Sequence, residues 1–291
     1  MTVRRTFAVL FVLLVLAGTV RDRSRDPRER TGVLVADLHV HPFPGDGALT
    51  VWQLQREASR RGLDVIAVAG HNNRFALTLA RALGLVSDVP MILESQELTS
   101  PDFHMIAVGV TRMIDWRDSV PDTVAAIHAQ GGVAIAAHPV SFAWKPRDLE
   151  SLRALDGVEV AHPMAARTGS SRRELDAFFA AARAAKPTVA PIGSTDFHGA
   201  APLGLCRTYL LSTDRSTIGA LEAIRQGRTV AEDQYGRFYG SADDIATVRA
   251  SLAEQPAPRP VSRLDKLIAL AALLTLALIA ADGLRPTTRR T

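Results

Sequence analysis

Apolar runs with strand character alternate with helical patterns from Val33 to Thr213, and this alternation limits the folds open to the chain. It is typical of βα units, in which helices cover a parallel sheet. The chain has 291 residues, and α/β barrels of roughly 200 to 250 residues commonly form one domain. We therefore predict an α/β fold. Strands are predicted at Val33–His39, Val65–Ala69, Met91–Leu93, Met105–Val110, Val133–Ala137, Val158–Ala161, Val189–Ile192 and Thr208–Leu211.

Helix start and stop signals lie between most of the predicted strands. Thr50 is a suitable N-cap for a helix over Val51–Arg61. Ser171 and Glu174 form a capping-box pattern at the start of an alanine-rich helix. Gly227 is a typical stop for the last helix of this series.

Two histidines close the first predicted strand. His39 and His41 are two residues apart, so an extended chain directs both imidazoles to the same side. Asp46 follows in a Pro-Gly-Asp-Gly loop, where glycine allows the backbone to turn the carboxylate back towards the imidazoles. A single histidine in a strand is more often a packed core residue. Two imidazoles with a nearby carboxylate instead predict a metal site.

Residue types that bind metals recur where the predicted strands end. In a parallel barrel these ends share one face, on which the active sites of such barrels lie. His104 begins a strand, but the turn Thr99–Asp102 would return it to the side of Glu97. His128 lies in a helical stretch and is predicted to be a surface or packing residue. The strand-end residues are His39, His41, His71, Glu97, His138, His162, Asp196 and His198.

Composition limits the chemistry of such a site. Hydrophobic residues make up 47% and charged residues 22% of the chain, a globular balance that argues against disorder over most of its length. Much of the excess positive charge lies near the two ends rather than in a stripe with aromatic residues, so no nucleic-acid binding is expected. Cys206 is the single cysteine, which excludes a multi-cysteine zinc site. Histidine and carboxylate ligands suit Zn, Mn or Fe(II).

The two ends of the chain carry apolar segments flanked by arginine. Arg4 and Arg5 precede the apolar run Thr6–Val20, which resembles a signal sequence of twin-arginine type or a short anchor. Leu267–Ala281 is apolar on every face, as a membrane anchor would be. We predict membrane association, with the barrel on the extracytoplasmic side. The predicted segments are residues 1–31 as signal or anchor and linker, 32–240 as the barrel, 241–263 as a helix and Pro-rich tether, 264–284 as a transmembrane helix and 285–291 as a basic tail.

With these residues identified, the chain resembles the PHP family, the polymerase and histidinol phosphatase superfamily of metal-dependent phosphoesterases. The resemblance covers roughly residues 33–233. It implies a distorted barrel of seven parallel strands with two or three divalent metal ions. The second motif of the family usually has an acid before its histidine, where this chain has Gly70. The matching residues are His39-x-His41 with Asp46, then His71, Glu97 followed by His104, His138-Pro139, and Asp196-Phe197-His198.

The resemblance also implies how the ligands are shared among the ions. His39, His41, Glu97 and Asp196 would bind one ion, Glu97 with His104 and His138 a second, and Asp46, His71 and His198 a third. Glu97 would then bridge two ions.

These residues together predict a membrane-attached, metal-dependent hydrolase. The most direct form is a phosphoesterase that cleaves a small phosphorylated substrate with a metal-activated water. Glu97 and Asp196 are the predicted catalytic residues, because they would hold the ions and position the water. Arg207, Arg167 and His162 are predicted substrate contacts. Two alternatives stay open: an amide or carbamate hydrolase on the same ligands, and a metal-stabilised binding or sensory module without turnover.

Overall fold

A sheet of ten strands, coiled into a nearly closed barrel, forms the core of residues 33–239. The computed structural model describes residues 6–11, 13–14, 32–166, 168–253, 267, 270–271, 274–275 and 278. The strands are β1 (Val33–Val40), β2 (Val65–Val68), β3 (Met91–Thr99), β4 (His104–Val108), β5 (Val133–Ala136), β6 (Gly157–Ala161), β7 (Ala190–Gly193), β8 (Arg207–Leu211), β9 (Thr229–Glu232) and β10 (Phe238–Tyr239). The helices are α1 (Val51–Arg60), α2 (Phe75–Ala82), α3 (Val120–His128), α4 (Leu149–Ala154), α5 (Gly169–Ala185), α6 (Thr217–Arg225) and α7 (Ala242–Ala253), with a 3-10 turn at Pro163–Ala166.

The sheet is mixed, in the order β10-β9-β8-β1-β2-β3-β4-β5-β6-β7. β1, β2 and β3 pair in parallel, as do β5, β6 and β7, whereas β4, β8 and β10 run against their neighbours. The α/β class is as predicted, but the predicted barrel of seven parallel strands is wrong in strand number and direction. For β4 the direction has a local cause, because the turn at residues 100–103 joins β3 directly to β4, and so short a connection can join only antiparallel strands.

Within the described chain, side chains rather than a backbone ladder close the barrel between β7 and the β8–β9 pair. The Thr208 hydroxyl accepts a hydrogen bond from Gly193 N–H at 2.9 Å and donates one to Gly193 O at 2.8 Å. The Thr229 hydroxyl donates to Pro191 O at 2.8 Å. The strands can approach here because Gly193 has no side chain: a Cβ would lie 2.3 Å from Arg207 O. We call this junction the seam.

Local sequence signals account for several helix ends. Thr50 caps α1, as predicted, and forms a capping box with the third helical residue. Gly227 follows α6 with a φ of +67°, a conformation suited to glycine. The predicted capping box at Ser171 is wrong, because Thr168 caps α5 three residues earlier than that pattern requires. The Glu174 carboxylate is unavailable for capping, since it accepts hydrogen bonds from the loop after β5.

The inward and outward faces of β1 exchange within the strand. Ala36 and Leu38 lie in one buried cluster, whereas Val40 lies in another. The pairing of β1 with β2 shifts register between Asp37 and Val40, as at a β-bulge. Bulges often redirect side chains next to functional sites. This shift accompanies the turn of His39 towards the end of the barrel where β1 stops.

The structure describes only part of each apolar end segment. Residues 6–11, 13 and 14 are helical, and so are residues 267, 270, 271, 274, 275 and 278. Among the residues that the structure describes, no helix combines the length and hydropathy that a membrane span requires. The predicted terminal membrane helices are therefore not confirmed. The predicted linker and Pro-rich tether also fall outside the described residues.

Candidate metal centre

The residues predicted from the strand ends meet at one end of the barrel. This end, which we call the mouth, is formed where β1, β2, β3, β5, β6 and β7 stop. All nine predicted metal ligands belong to three groups there. In each group the donor atoms lie within 4.8 Å of one another: the first contains His39, His41, Glu97 and Asp196, the second Glu97, His104 and His138, and the third His41, Asp46, His71 and His198.

The first group has the spacing of a metal site. His39 Nε2 and His41 Nε2 lie 3.0 Å apart, and they lie 3.3 and 3.0 Å, respectively, from Asp196 Oδ1. Glu97 Oε2 lies 3.3 Å from His39 Nε2 and 3.2 Å from His41 Nε2. A tetrahedral ion with bonds of about 2.0 to 2.1 Å separates its ligand atoms by about 3.3 to 3.4 Å. The four donor atoms therefore surround a space of the size that one ion needs.

The β3–β4 hairpin supplies the second group. Antiparallel pairing places Thr99 opposite His104, and His104 Nδ1 consequently lies 3.2 Å from Glu97 Oε1. His138 Nε2 lies 3.5 Å from the same oxygen. The turn therefore returns His104 to Glu97, as predicted. Glu97 directs Oε2 to the first group and Oε1 to the second, which is the arrangement of a bridging carboxylate.

Asp46 is central to the third group. Its Oδ2 lies 3.1 Å from His71 Nε2 and 3.0 Å from His198 Nε2. The acid that the family usually has before His71 is replaced by Gly70, which adds no ligand atom. The Asp46 side chain is 47% exposed, whereas the Glu97 side chain is fully buried. The third group is therefore the one most open to solvent.

A buried carboxylate that the sequence did not predict orients the first group. Glu159 lies in the middle of β6, and its Oε1 accepts a hydrogen bond from His39 Nδ1–H at 3.0 Å. Its Oε2 accepts from His138 N–H at 2.6 Å, and the Ser194 hydroxyl also donates to Oε1. Because an ionised carboxylate only accepts, the proton on Nδ1 is the one that His39 would keep on binding a metal ion, and its Nε2 lone pair would then face the first group. The available sequence signal was an acidic residue inside an apolar strand.

The charges of the mouth favour bound cations. Burial alone would raise the pKa of Glu97, but the neighbouring imidazoles, His39 foremost, hold that pKa well below its usual range. The pKa of Asp196 is lowered in the same way. Burial alone would lower the pKa of His39, but the surrounding carboxylates, Asp196 foremost, raise it well above its usual value. The carboxylates are thus ionised, and positive charge is drawn in among them.

Buried polar atoms without hydrogen-bond partners are concentrated at the mouth. Such atoms destabilise a folded protein by about 1 to 3 kcal/mol each unless a ligand completes them. Imidazole nitrogens and carboxylate oxygens are suitable ligands for Zn, Mn and Fe(II), so these residues fit divalent ions. Among the described residues, the partnerless atoms of the mouth are Oε1 and Oε2 of Glu97, Oδ1 of Asp196, Nδ1 of His41, His104 and His138, and Nε2 of His162.

Two of the predicted ligands have a backbone conformation that is unusual for their residue type. The φ angle is 28° at His138 and 51° at Asp196, and such conformations destabilise non-glycine residues by about 1 to 3 kcal/mol. Hydrogen bonds to buried carboxylates on other strands fix the backbone at or next to both positions. His138 N–H donates to Glu159, and Thr195 N–H donates to Asp37 Oδ1 at 3.0 Å. Asp37 is a second buried carboxylate that the sequence did not predict.

His162, a predicted substrate contact, is buried beside the first group. Its Nε2 lies 3.8 Å from Asp196 Oδ2. Its Nδ1 accepts a hydrogen bond from Met164 N–H at 3.1 Å, so the proton of the neutral ring lies on Nε2. Burial lowers the pKa of His162 to about 4. The ring is therefore neutral at physiological pH, with one N–H directed into the mouth.

The other residues singled out from the sequence lie in different surroundings. The Arg207 guanidinium donates to Gly204 O at 2.8 Å, and Arg167 lies outside the described residues. His128 Nε2 lies 2.7 Å from Asp156 Oδ2, and the His128 side chain is 43% exposed. His128 is thus a partly exposed packing residue, as predicted.

Comparisons with known proteins bear on the fold and on parts of the sequence. No family model matches the chain. A phosphoribosyl 1,2-cyclic phosphate 1,2-diphosphodiesterase of Eggerthella lenta is 32% identical over 83 residues, which cover 26% of this chain and 31% of that protein. An uncharacterised protein of Methanocaldococcus jannaschii is 29% identical over 143 residues, or 43% of this chain and 80% of that protein. A two-domain protein of Bacteroides vulgatus, described as containing a predicted PHP-like metal-dependent phosphoesterase, matches with a TM-score of 0.55 and 18% identity over 77% of this chain and 71% of that one.

The structural match confirms the resemblance at the level of the fold. The chain has a PHP-like fold, shared with the Bacteroides vulgatus protein over most of the length of both. The match to the Eggerthella lenta enzyme spans 31% of that enzyme's length.

Proposed function

We propose that the chain is a metal-dependent phosphoesterase of the PHP type, which hydrolyses a phosphate ester. The observation that carries this proposal is the position of Glu97, whose two oxygens face two adjacent donor groups. Adjacent ions that share a carboxylate are typical of enzymes in which metals about 3.5 to 4 Å apart clamp the attacking and leaving oxygens. Phosphate ester hydrolysis requires this arrangement, because negative charge develops on several oxygens at once.

The proposed ligand sets follow the three donor groups. Divalent ions bound there supply the Lewis acidity that activates water and offsets the charge of the phosphoryl group. Glu97 and Asp196 are the proposed catalytic residues, because both contribute to the first group and Glu97 also to the second. With His41 assigned to the first group only, the sets are His39, His41, Glu97 and Asp196 for one ion, Glu97, His104 and His138 for a second, and Asp46, His71 and His198 for a third.

The chain itself contributes the orientation of these ligands. Glu159 fixes the proton of His39 on Nδ1. The Thr99 hydroxyl lies 2.6 Å from His71 Nδ1, and His198 Nδ1 lies 3.0 Å from the backbone oxygen of Asp196. Partners of this kind fix the tautomer and ring angle of a metal-binding histidine. Each ring therefore presents its Nε2 to a donor group without rearrangement.

The similar proteins support a phosphoester as the substrate. The Eggerthella lenta relative is by name a diphosphodiesterase of a cyclic phosphate, and the Bacteroides vulgatus protein is described as containing a PHP-like phosphoesterase. A small phosphorylated substrate is therefore proposed for this chain too. An amide or carbamate hydrolase would use the same ligands, and a binding module would bind metal without turnover.

Three substrate contacts belong to the same proposal. His162 can donate one hydrogen bond from Nε2–H to a phosphoryl oxygen near Asp196. Arg207 can reach a phosphate only by releasing Gly204 O, and Arg167 is proposed from its place after β6. In His162→Phe and in Arg207→Met, which have no side-chain donor, we expect the KM for a phosphate ester to rise about three- to ten-fold, the effect of one lost hydrogen bond. An unchanged KM in either variant removes that residue from the substrate site.

The proposed reaction is tested with full-length protein that has been stripped of metal and reloaded with Mn or Zn. We expect hydrolysis of phenyl phosphate, and we expect Glu97→Gln or His138→Ala to lower the rate by at least about 100-fold. His128→Ala is the matched control for a histidine outside the donor groups, and it should leave the rate within about two-fold. Bound metal without cleavage of any phosphate ester contradicts the proposal. Cleavage of amides or carbamates instead would identify the second kind of hydrolase. Metal binding without turnover of any of these substrates would identify a binding module.

We also propose that the chain is membrane-associated, with the barrel on the extracytoplasmic side. The support is the sequence of the two apolar segments, Thr6–Val20 and Leu267–Ala281, with their flanking arginines. The full-length protein should then sediment with membranes after a high-salt and alkaline wash. Recovery in the soluble fraction after either wash contradicts this proposal.

A further inference from the structure

One loop carries ligands of two different donor groups. Residues 194–206 connect β7 to β8, and they contain Asp196 of the first group and His198 of the third. We call these residues the ligand loop. Phe197, between the two ligands, forms a parallel β-bridge with Val40, which lies between the two histidines at the end of β1. The middle of the ligand loop is thus bound directly to the end of β1.

The side chain of Asp37 binds both ends of the ligand loop. Its Oδ1 accepts a hydrogen bond from Thr195 N–H at 3.0 Å, and its Oδ2 accepts one from Gly204 N–H at 2.9 Å. Within the loop, the Thr195 hydroxyl accepts from Leu205 N–H at 3.1 Å and donates to Cys206 O at 3.4 Å. One carboxylate and one hydroxyl therefore hold the two ends of the loop together. We call these contacts the neck.

Asp37 lies in an apolar strand, where a carboxylate is stable only if hydrogen bonds replace its water. Its neighbours Ala36 and Leu38 belong to a hydrophobic core cluster, and Asp37 itself is fully buried. Burial of an ionised carboxylate without such partners strongly destabilises a fold. An apolar side chain at this position would leave the N–H groups of Thr195 and Gly204 buried without an acceptor. The carboxylate thus serves the ligand loop rather than the strand that carries it.

The neck adjoins the strained backbone of a proposed ligand. Asp196 has a φ of 51°, a conformation that a non-glycine residue keeps only where its surroundings hold it. The preceding residue, Thr195, is held by Asp37, and the following residue, Phe197, is held by the bridge to β1. Asp196 is therefore fixed on both sides, with its carboxylate among the donors of the first group.

We propose that Asp37 is a positioning residue of the metal centre, which acts through the ligand loop on the ions of the first and third groups. The inference deepens the proposed function, because it rests on the ligand sets proposed there. Asp37 is not among the donors of the three groups, so its effect on bound metal is indirect. The second group should not depend on Asp37, since its ligands lie on the β3–β4 hairpin and after β5.

The test is Asp37→Asn in the full-length protein, with metal affinity measured by competition with a chromophoric chelator at fixed pH. Asparagine keeps one acceptor oxygen, and its NH₂ group faces either Thr195 N–H or Gly204 N–H. We expect the affinity to fall about ten-fold or more, as is typical when a residue that orients metal ligands is lost.

Asp64→Asn is the matched control. Asp64 is also a buried carboxylate that accepts a backbone hydrogen bond, from Val35 N–H at 2.9 Å, but it lies where β2 begins, at the end of the barrel opposite the mouth. Both substitutions can lower the Tm, whereas Asp64→Asn should leave metal affinity within about two-fold of the wild type.

Double variants separate a positioning role from a general loss of stability. In a chain that lacks both ligands of the loop, Asp196→Asn with His198→Ala, we expect Asp37→Asn to change the remaining metal affinity by less than about two-fold. In His138→Ala, which loses a ligand of the second group, the effect of Asp37→Asn should persist at about ten-fold. Equal effects in both backgrounds, or wild-type affinity in folded Asp37→Asn, overturn the proposal.

Thr195→Val decides the question if circular dichroism shows that Asp37→Asn does not fold. It removes the hydroxyl of the neck and keeps the N–H group that Asp37 accepts, so metal affinity should fall about three- to ten-fold. An unchanged affinity overturns the proposal. Because bound metal is measured rather than cleavage, a metal-binding chain that hydrolyses no phosphate ester contradicts only the proposed reaction. A wild-type chain that binds no divalent ion contradicts both proposals.

Discussion

Replacing Glu159 with glutamine tests whether a residue outside the three proposed ligand sets controls metal binding. Three donors converge on this carboxylate: His39 Nδ1–H, His138 N–H and the Ser194 hydroxyl. Its two oxygens accept all three hydrogen bonds, whereas glutamine offers one oxygen and an NH₂ group that faces at least one of the donors. The loss of one hydrogen bond to a charged group is about 1.5 to 3 kcal/mol. At about 1.4 kcal/mol per factor of ten, this weakens metal binding by about 10- to 100-fold.

The assay is competition for metal with a chromophoric chelator at fixed pH, after circular dichroism has shown that the variant is folded. Glu57→Gln is the matched control, because Glu57 pairs with Arg61 on the surface of α1 and its loss changes the net charge equally. We expect Glu57→Gln to bind metal within about two-fold of the wild type. Wild-type affinity in folded Glu159→Gln, or an equal loss in Glu57→Gln, would refute the orienting role.

Three further predictions concern the seam, the ions and the protons. Thr208→Val leaves buried Gly193 N–H and C=O unpaired, so urea denaturation should show a free energy of unfolding lower by about 2 to 4 kcal/mol, and Thr208→Ser should lose less than about 1 kcal/mol. Removal of metal by a chelator should lower the Tm by at least about 5 °C, since the donor groups exist only in the folded chain; an unchanged Tm contradicts this prediction. His104→Ala should bind one ion fewer by elemental analysis, and an unchanged metal content contradicts this one. Carboxylates raise the pKa of His39 and His138 in the metal-free protein, so protons compete with ions, and chelator competition should show metal affinity falling from pH 8 to pH 6. The same raised pKa values stabilise the metal-free fold, and this contribution is complete below about pH 6.5, the ordinary histidine pKa. It is lost as the pH rises through the raised pKa values, so the Tm of the metal-free protein should fall with rising pH. A Tm that rises over this range contradicts the raised histidine pKa values.

The convergence of the proposed metal ligands could be predicted because the position of each depends on local rules. A strand end fixes where a side chain lies in a barrel, and two residues on an extended chain share a side, as His39 and His41 do. His104 needed one more step, since its place beside Glu97 depends on a turn that the sequence Thr99–Asp102 encodes. Such short-range signals, the spacing of residues along a strand and the sequence of a turn, can be read from one sequence because they do not depend on tertiary contacts.

The features that the sequence did not predict depend on contacts between residues that are far apart in the chain. Glu159 and Asp37 are acids inside apolar strands, and only the closure of the sheet, which brings β6 and the residues after β7 next to the end of β1, shows that each accepts hydrogen bonds from the mouth. The seam depends on hydrogen bonds between Thr208 and Gly193, and no local sequence pattern predicts that these two residues lie side by side. Glu174 shows the opposite case, in which a recognisable helix-start pattern lost its partner to a distant loop. The prediction of an all-parallel sheet failed for a related reason. Alternating apolar runs predict where strands lie, but they do not show which strands pair or in which direction.

The buried carboxylates explain why the mouth can be formed before any ion binds. Glu97, Glu159 and Asp196 are ionised, and protonated imidazoles supply the compensating charge in the metal-free protein. Ions and protons thus compete for the same lone pairs. Because Glu159 and the strained backbone at His138 are fixed by the sheet, exchanging a proton for an ion requires no change of fold. The ligands are therefore preorganised, and the affinity for metal depends on residues that do not bind it as much as on those that do.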